Sequence, residues 1–338
     1  MIPDAARYPG QAWEMPALLE TIGWSNDLLS RAMDYAGLIG SRAVMIVING
    51  AALAMWGDVA RPFNCRSIRK ALLSALYGVH VAEGHIDLAW TLADLGMDDT
   101  EPALSAEEKQ ATIADLLTSR SGVYHPANYV PPAERARLPA RGSHAPGTFW
   151  HYNNWDFNAL LTIFEQCTGT RIFEEFERRI AQPLQMQDYR AHEMKYVTQP
   201  HSLHPLYSFR LSARDLARFG LLYLRQGQWQ DQQMLSREWV AASTTAQTPA
   251  RGGTGFGYLW WVCVDGNLFH GVPLPAGSFA SYGMGGQFLL VIPAFDLVIV
   301  HLTNPDDPTS QPPTGEPLTQ LLRLTLAARL SSGPDAIE

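Results

Sequence analysis

Lysine is scarce in this sequence, whose 338 residues include only Lys70, Lys109 and Lys195. Acidic residues outnumber basic ones, which gives a formal net charge of −8 at pH 7 and an isoelectric point near 5.7. The arginines, which make up the rest of the 25 basic residues, are scattered rather than clustered. This charge balance argues against nucleic acid as the main partner.

Cysteine is equally rare, and Cys65, Cys167 and Cys263 are odd in number and far apart. This pattern is typical of free thiols in a reducing compartment. No Cys-x-x-Cys or His-Glu-x-x-His spacing occurs, so no metal or other cofactor is expected. No apolar run is long enough to span a bilayer, and residues 1–10 carry no signal-peptide pattern. We therefore expect a cytoplasmic protein that acts on a small molecule, with a removed signal peptide as the alternative.

Two common enzyme signatures are also missing. The sequence contains no Walker-type phosphate loop, and the glycine-rich residues 252–257 precede a predicted strand rather than a helix. It contains no Gly-x-Ser-x-Gly motif either, which counts against an α/β-hydrolase.

The pattern of apolar residues predicts most of the secondary structure. Helices are predicted over residues 25–39, 67–83, 105–117, 155–168, 171–181, 212–226, 236–244 and 316–330. Two apolar runs around Asn49-Gly50, residues 43–48 and 51–56, predict a β-hairpin. Further strands are predicted over 257–264, 287–292 and 297–302. Residues 119–151 show no periodicity, and so long a loop is usually functional or disordered.

Strands near both ends of the chain enclose a mainly helical middle. This order predicts an α+β fold with one antiparallel sheet, built from N- and C-terminal segments and flanked by helices. We expect residues 1–61 and 249–338 to form the sheet domain and residues 62–248 to form an inserted, mainly helical domain. The active site would then lie between them.

Ser67 and Lys70 are three residues apart at the start of the helix predicted over 67–83. Residues at this spacing share a helix face, so the hydroxyl and the amine can meet. The start of a helix favours developing negative charge, and a serine beside a base is the arrangement of an activated nucleophile. With three lysines and nineteen serines, chance gives roughly 0.2 Ser-x-x-Lys matches. The alternative is that Ser67 caps the helix while Lys70 extends to water.

Two later motifs accompany this pair. Tyr152-x-Asn154 stands immediately before a predicted helix, and residues 281–287 (Ser-Tyr-Gly-Met-Gly-Gly-Gln) lead into a predicted strand. In this order the three motifs resemble the serine β-lactamase and DD-peptidase superfamily, most closely its class C-like branch. That branch holds class C β-lactamases, family VIII carboxylesterases, 6-aminohexanoate-oligomer hydrolases and some acyltransferases. The resemblance extends over nearly the whole chain and implies a β-lactamase/transpeptidase-like fold.

The resemblance implies a role for each motif residue. Ser67 would attack the carbonyl carbon and become acylated, while Lys70 would take its proton or hold Tyr152 in a form that does. Tyr152 would pass a proton to the leaving group, and Asn154 would orient Lys70 or the substrate. The backbone N–H groups of Ser67 and Met284 would form the oxyanion hole. Candidates for the substrate pocket are Tyr207, Trp155, Trp260 and Gly283, with core packing as the alternative for the aromatic residues.

The third motif departs from the penicillin-binding pattern of Lys or His, then Thr or Ser, then Gly. Ser281-Tyr282-Gly283 stands in its place, and a shifted register would put Met284 at the cationic position. Neither register supplies a lysine for the carboxylate of a β-lactam, so the sequence favours a small ester or amide. An acyltransferase with the same acyl-enzyme, a β-lactamase or DD-peptidase, and a catalytically silent binding module remain alternatives. The acyl group, the acceptor and the oligomeric state stay open.

Overall fold

The computed structural model describes residues 7–309 and 311–330. Its largest element is an eight-stranded antiparallel sheet in which strands from the beginning and the end of the chain are hydrogen-bonded to each other. The predicted α+β class, with one antiparallel sheet formed from N- and C-terminal segments, is confirmed. The division into domains at residues 61/62 and 248/249 stays a prediction.

The strands and helices follow in chain order. The strands are β1 (Ala43–Ile48), β2 (Ala51–Gly57), β3 (Phe63–Asn64), β4 (Lys195–Val197), β5 (Leu206–Ser208), β6 (Arg210–Leu211), β7 (Gln228–Trp229), β8 (Gln232–Gln233), β9 (Thr248–Pro249), β10 (Gly255–Phe256), β11 (Trp261–Val262), β12 (Phe279–Gly283), β13 (Gln287–Ile292) and β14 (Leu297–Leu302). The helices are α1 (Asn26–Leu38), α2 (Arg69–Ala82), α3 (Ile113–Leu117), α4 (Pro132–Arg135), α5 (Asn154–Thr168), α6 (Ile172–Phe176), α7 (Ala213–Leu224), α8 (Arg237–Ser243) and α9 (Glu316–Ala327). The large sheet has the order β2-β1-β14-β13-β12-β11-β10-β9.

The hairpin that opens the sheet is the one predicted around Asn49-Gly50. Ile48 pairs with Ala51, which leaves two residues in the loop. Asn49 has a φ of 49° and Gly50 a φ of 72°, and two positive φ values are what a type I′ hairpin turn requires. Every residue of β1, β13 and β14 is buried, so both faces of the sheet are covered at its centre.

Two predicted elements are wrong in extent. Instead of one helix over 105–117, the chain has a 3-10 turn and then α3, because Thr112 starts a new helix. Thr112 Oγ1 accepts from Asp115 N at 3.1 Å, and the Asp115 carboxylate accepts from Thr112 N at 3.0 Å. Instead of one strand over 257–264, only β11 is extended, because Leu259 has a φ of 67°.

The long stretch 119–151 is irregular, as predicted, except for the single turn of α4. No helix among the described residues is long and apolar enough to cross a lipid bilayer.

Helix α7 lies across the middle of the sheet, on β1, β13 and β14. Gly220, in the interior of α7, allows this close packing. A Cβ added at Gly220 would lie 2.6 Å from Val298 Cγ1 and 2.8 Å from Leu289 Cδ1. Both contacts are shorter than real Cβ contacts, so a larger residue would push the helix away from the sheet.

Gly220→Ala should therefore destabilise the protein. Alanine is the better helix former by about 1 kcal/mol, but overpacking costs about 1–3 kcal/mol. We expect the free energy of unfolding to fall by up to about 2 kcal/mol in urea denaturation. Gly10→Ala is the control, because an added Cβ there meets no atom within 4 Å. Unchanged stability of Gly220→Ala would show that α7 does not need this close contact.

Candidate active site

Ser67 lies in a tight turn that leads directly into a buried helix. A 3-10 turn over Arg66–Ile68 precedes α2, in which all residues from Arg69 to His80 are buried. Arg66 has a φ of 52°, a left-handed conformation that is unfavourable for a residue with a side chain. Its backbone N–H donates to Asn64 Oδ1 at 3.0 Å, which helps to hold the turn. The turn thus presents Ser67 just before the N-terminus of α2.

The Lys70 amine lies between two hydroxyl groups. Its Nζ donates to Ser67 Oγ at 2.8 Å and to Tyr152 Oη at 2.7 Å. The Lys70 side chain is buried, and its Nζ also lies 4.5 Å from the centroid of the Phe157 ring. Burial, and then repulsion by the charge of Arg69, holds the pKa of Lys70 well below its ordinary value. A neutral amine has a lone pair that can accept a proton.

Tyr152 is held by hydrogen bonds to the residues on either side of it. Ser119 Oγ donates to the carbonyl of His151 at 2.6 Å and accepts from the backbone N–H of Asn153 at 3.0 Å. The Asn153 side chain then caps α5 by accepting from Trp155 N at 3.1 Å. Tyr152 is therefore fixed at the junction between the irregular stretch 119–151 and α5.

The Tyr152 ring is also fixed by aromatic contacts. Its centroid lies 4.9 Å from that of Phe157 and 5.7 Å from that of Trp261, on which it stacks. Burial raises the pKa of Tyr152, and a hydrogen bond with Ser67 opposes part of that rise. The phenol is thus protonated at neutral pH and able to donate a proton.

The end of β12 approaches the Ser67 turn closely. A Cβ at Gly283 would lie 2.5 Å from the carbonyl oxygen of Cys65, so only glycine permits this approach. Met284 follows in the turn between β12 and β13, and it borders the same pocket as Ser67. This arrangement fits the expected pair of oxyanion-hole N–H groups, whose role stays a prediction.

A pocket opens beside Ser67 and gathers several of the predicted site residues. The residues around it include Ser67, Arg69, Glu134, Asn154, Tyr207 and Met284. Tyr207 is thus where a substrate-contacting residue was expected. Lys70 and Tyr152 do not border this pocket but lie directly behind Ser67.

Asn154 makes a different contact from the one expected with Lys70. Its Nδ2 donates to Glu134 Oε2 at 2.9 Å. Glu134 belongs to α4, so this hydrogen bond ties the irregular stretch 119–151 to the start of α5. Asn154 still borders the pocket, and its contact with a substrate stays a prediction. The residue that caps α5 is Asn153, so Asn154 is not a helix cap.

Three of the predicted pocket residues do not border the pocket: Gly283 packs against the Ser67 turn, and Trp155 and Trp260 are fully buried elsewhere. Trp155 Nε1 donates to Asp99 Oδ2 at 2.6 Å. The Trp260 ring lies 4.7 Å from Tyr223, in the core. Trp261, the next residue and the first of β11, is the tryptophan that stacks on Tyr152.

Arg69 and Glu134 were missed by sequence reasoning. Arg69 stands beside Lys70 at the start of the predicted helix, where two adjacent charged residues give no sign that either side chain is buried. Glu134 lies in a stretch without periodicity, where no local pattern distinguishes it from other exposed acids.

Metal-ligating geometry occurs away from Ser67. Within residues 7–309 and 311–330, the group that could hold an ion is His80, Glu83 and His85, at the opposite end of α2. His80 also contacts Glu175 at 3.0 Å, and Glu83 pairs with Arg179. These contacts give the cluster a structural explanation.

The comparison with protein families agrees with the motifs. The family model for β-lactamases matches residues 39–323. The chain belongs to the β-lactamase family. No curated protein matches its sequence.

Several solved structures share the fold of this β-lactamase-family chain. A protein from Bacillus anthracis described as a 6-aminohexanoate-dimer hydrolase is 20% identical with a TM-score of 0.66, covering 95% of this chain and 86% of its own. An octameric penicillin-binding protein homologue from Pyrococcus abyssi is 17% identical with a TM-score of 0.64, over 90% and 77%. A class C β-lactamase is 16% identical with a TM-score of 0.64, over 91% and 96%. At these identities the likeness is one of fold.

Glu134 should help to set the pH at which Ser67 becomes reactive. Its negative charge stabilises the protonated form of Lys70 and so raises the pKa of Lys70. Glu134→Gln removes that charge but keeps an acceptor for Asn154, so the pKa of Lys70 should fall further. We expect the acidic limb of the pH profile, measured as the rate at which a fluorophosphonate labels Ser67, to move to lower pH. Glu107→Gln, a change at an exposed acid, is the control.

A limb that stays in place, or that moves to higher pH, would contradict the assignment. Lys70 would then not be the group that must lose its proton before Ser67 can react.

Proposed function

We propose that this protein is a serine hydrolase that cleaves a small ester or amide through an acyl-enzyme on Ser67. The observation that carries the proposal is the position of Lys70 Nζ, 2.8 Å from Ser67 Oγ and 2.7 Å from Tyr152 Oη. Membership of the β-lactamase family supports a hydrolase in general. A nucleophile, a base and a proton donor at hydrogen-bond distance are the parts that acyl transfer requires.

The pKa shifts of Lys70 and Tyr152 indicate which of the two groups accepts a proton and which donates one. Burial lowers the pKa of Lys70 and raises that of Tyr152, so both shifts favour the neutral form of the group. Neutral Lys70 is then the base: once the Ser67 hydroxyl rotates to donate to Nζ, the lone pair takes the Ser67 proton as Oγ attacks the carbonyl carbon. Tyr152 gives its proton to the leaving group and regains one from Lys70. Water then attacks the acyl-enzyme, with the same residues acting in reverse.

Developing charge on the carbonyl oxygen needs donors. In this proposal they are the backbone N–H groups of Ser67 and Met284. Gly283 permits the end of β12, which precedes Met284, to lie close to the turn that contains Ser67. Loss of one such donor typically costs about 10²–10³ in kcat.

The proposed substrate class follows from the strand β12. Tyr282, at the middle position of the third motif, is tied down because its hydroxyl donates to the carbonyl of Leu268 at 2.9 Å. Ser281 is buried in the sheet. This motif therefore offers no cation for the carboxylate of a β-lactam, which favours esters and small amides.

Two alternatives keep the same residues. An acyltransferase would use the same acyl-enzyme but admit an alcohol or amine in place of water. A silent binding module would share the fold without turnover, and the contacts among Ser67, Lys70 and Tyr152 speak against it. Labelling of pure protein by a fluorophosphonate separates the module from the enzymes, and product analysis with an added amine separates transfer from hydrolysis.

Ser67→Ala should abolish ester turnover and probe labelling while the protein stays folded. Lys70→Ala and Tyr152→Phe should each lower kcat by about 10²–10⁴, the usual contribution of general acid–base catalysis. Intact-mass spectrometry with a slow ester should find the acyl adduct on the peptide that contains Ser67. Ser212→Ala, at a helix cap away from the pocket, is the matched control. An adduct on another serine, with Ser67→Ala still active, would refute the proposal.

Hydrolysis of β-lactams should be weak beside that of short-chain esters. A charged hydrogen bond to a carboxylate contributes about 1.5–3 kcal/mol, so its absence on β12 should weaken β-lactam recognition about 10- to 100-fold. The measurement compares kcat/KM for nitrocefin and for p-nitrophenyl butyrate. Nitrocefin turnover equal to that of the ester would show that a cation elsewhere binds the β-lactam carboxylate productively.

A further inference from the structure

Arg69 is a buried arginine that makes no ion pair with an acidic side chain in the described part of the sequence. Its side chain is 3% exposed and borders the pocket beside Ser67. The guanidinium donates to the neutral Asn158 Oδ1 at 3.2 Å, and Nη1 has no hydrogen-bond partner among the described residues. Its Cζ lies 4.2 Å from the centroid of the Tyr207 ring. A buried charge is rarely left without an opposite charge, because losing its hydration is costly.

Tyr207 presents a second donor without an acceptor at the same place. Its side chain is fully buried and borders the pocket, and among the described residues its hydroxyl has no acceptor, because the group beside it is Arg69, itself a donor. A buried tyrosine hydroxyl usually finds an acceptor. The Nη1 group of Arg69 and the hydroxyl of Tyr207 are thus two donors without acceptors among the described residues, on side chains that stack on each other and border the pocket.

The pocket lies on one side of the reaction centre. Ser67 borders it, whereas Tyr152 does not and instead borders an adjoining cavity with His151 and Asn153, which shares Glu134 and Asn154 with the pocket. In the proposed mechanism Tyr152 protonates the leaving group. On that basis the pocket that borders Ser67 but not Tyr152 would take the acyl group.

We propose that Arg69 and Tyr207 bind a carboxylate at the far end of the substrate's acyl group. The inference rests on the proposed function and narrows its substrate to esters or amides of an ω-carboxy acid. A carboxylate has two oxygens, one for the guanidinium and one for the tyrosine hydroxyl, and it would neutralise the buried charge. Glu134 and Asn154, at another part of the rim, already bond to each other.

Two p-nitrophenyl esters of equal length test the proposal. One is the monoester of glutaric acid, which ends in a carboxylate, and the other is the ester of 4-carbamoylbutanoic acid, which ends in a neutral amide. The wild-type protein should prefer the carboxylate in kcat/KM by about 10- to 100-fold. A ratio near one in the wild type would overturn the proposal.

Variants of Arg69 and Tyr207 test whether these residues cause the preference for the carboxylate ester. Arg69→Gln should bring the ratio close to one, and Tyr207→Phe should lower it by a smaller factor. Arg69→Lys keeps the charge but loses the planar fork, so part of the preference should remain, and it covers the case in which Arg69→Gln does not fold. Arg137→Gln, at an exposed arginine, makes the same change in net charge and should leave the ratio unchanged.

Arg69 also repels a proton from Lys70, so its loss should act on both esters. That effect moves the acidic limb of the pH profile to higher pH for the two substrates alike and does not change their ratio. Suppose that Arg69→Gln moves the acidic limb of the pH profile but neither Arg69 variant changes the ratio of the two esters. The carboxylate site would then be overturned, and Arg69 would be a positioning residue for Lys70.

Binding without turnover separates this proposal from the hydrolase itself. Calorimetry measures the affinity of the Ser67→Ala protein for glutarate, and this measurement does not depend on whether any ester is cleaved. Adding Arg69→Gln to Ser67→Ala should weaken glutarate binding by about 10-fold or more. Equal binding by the two proteins would overturn the carboxylate site, whereas absent turnover with intact glutarate binding would overturn only the hydrolase.

Discussion

An amine buried between two hydroxyl groups is the constraint on which the rest of the site depends. A charged amine at Lys70 would have to give up its hydration, and burial therefore favours the neutral form. That form is useful only if Ser67 and Tyr152 both stay within hydrogen-bond distance. The strained turn at Arg66, the cap at Asn153 and the aromatic contacts of Tyr152 each restrict one side of this arrangement.

Most of the fold could be predicted from local pattern, and the exceptions have physical causes. The hairpin around Asn49-Gly50 was predictable because few residues adopt two successive positive φ values. The boundary at Thr112 was hidden because a capping box inside an apolar pattern resembles a continuous helix. The kink at Leu259 had no signal, since leucine does not favour a positive φ and the surrounding fold imposes it.

The core of the site was predictable because helix geometry alone brings Ser67 and Lys70 together. What joins Tyr152 to them is tertiary, and only the resemblance to a family supplied it. Trp155 and Trp260 were wrong because composition cannot tell which face of an element a residue occupies. Arg69 was missed for the opposite reason: its value lies in the absence of a partner, and that is visible only once the neighbours are placed.

The charges around the pocket have linked effects on the base and on the substrate. Burial is the largest cause of the lowered pKa of Lys70; Arg69 and Arg251 lower it further and Glu134 raises it. A carboxylate bound to Arg69 would cancel part of the repulsion from the guanidinium, and the same ligand would exclude water, which favours the neutral amine. These opposite consequences permit an anionic substrate beside a neutral base.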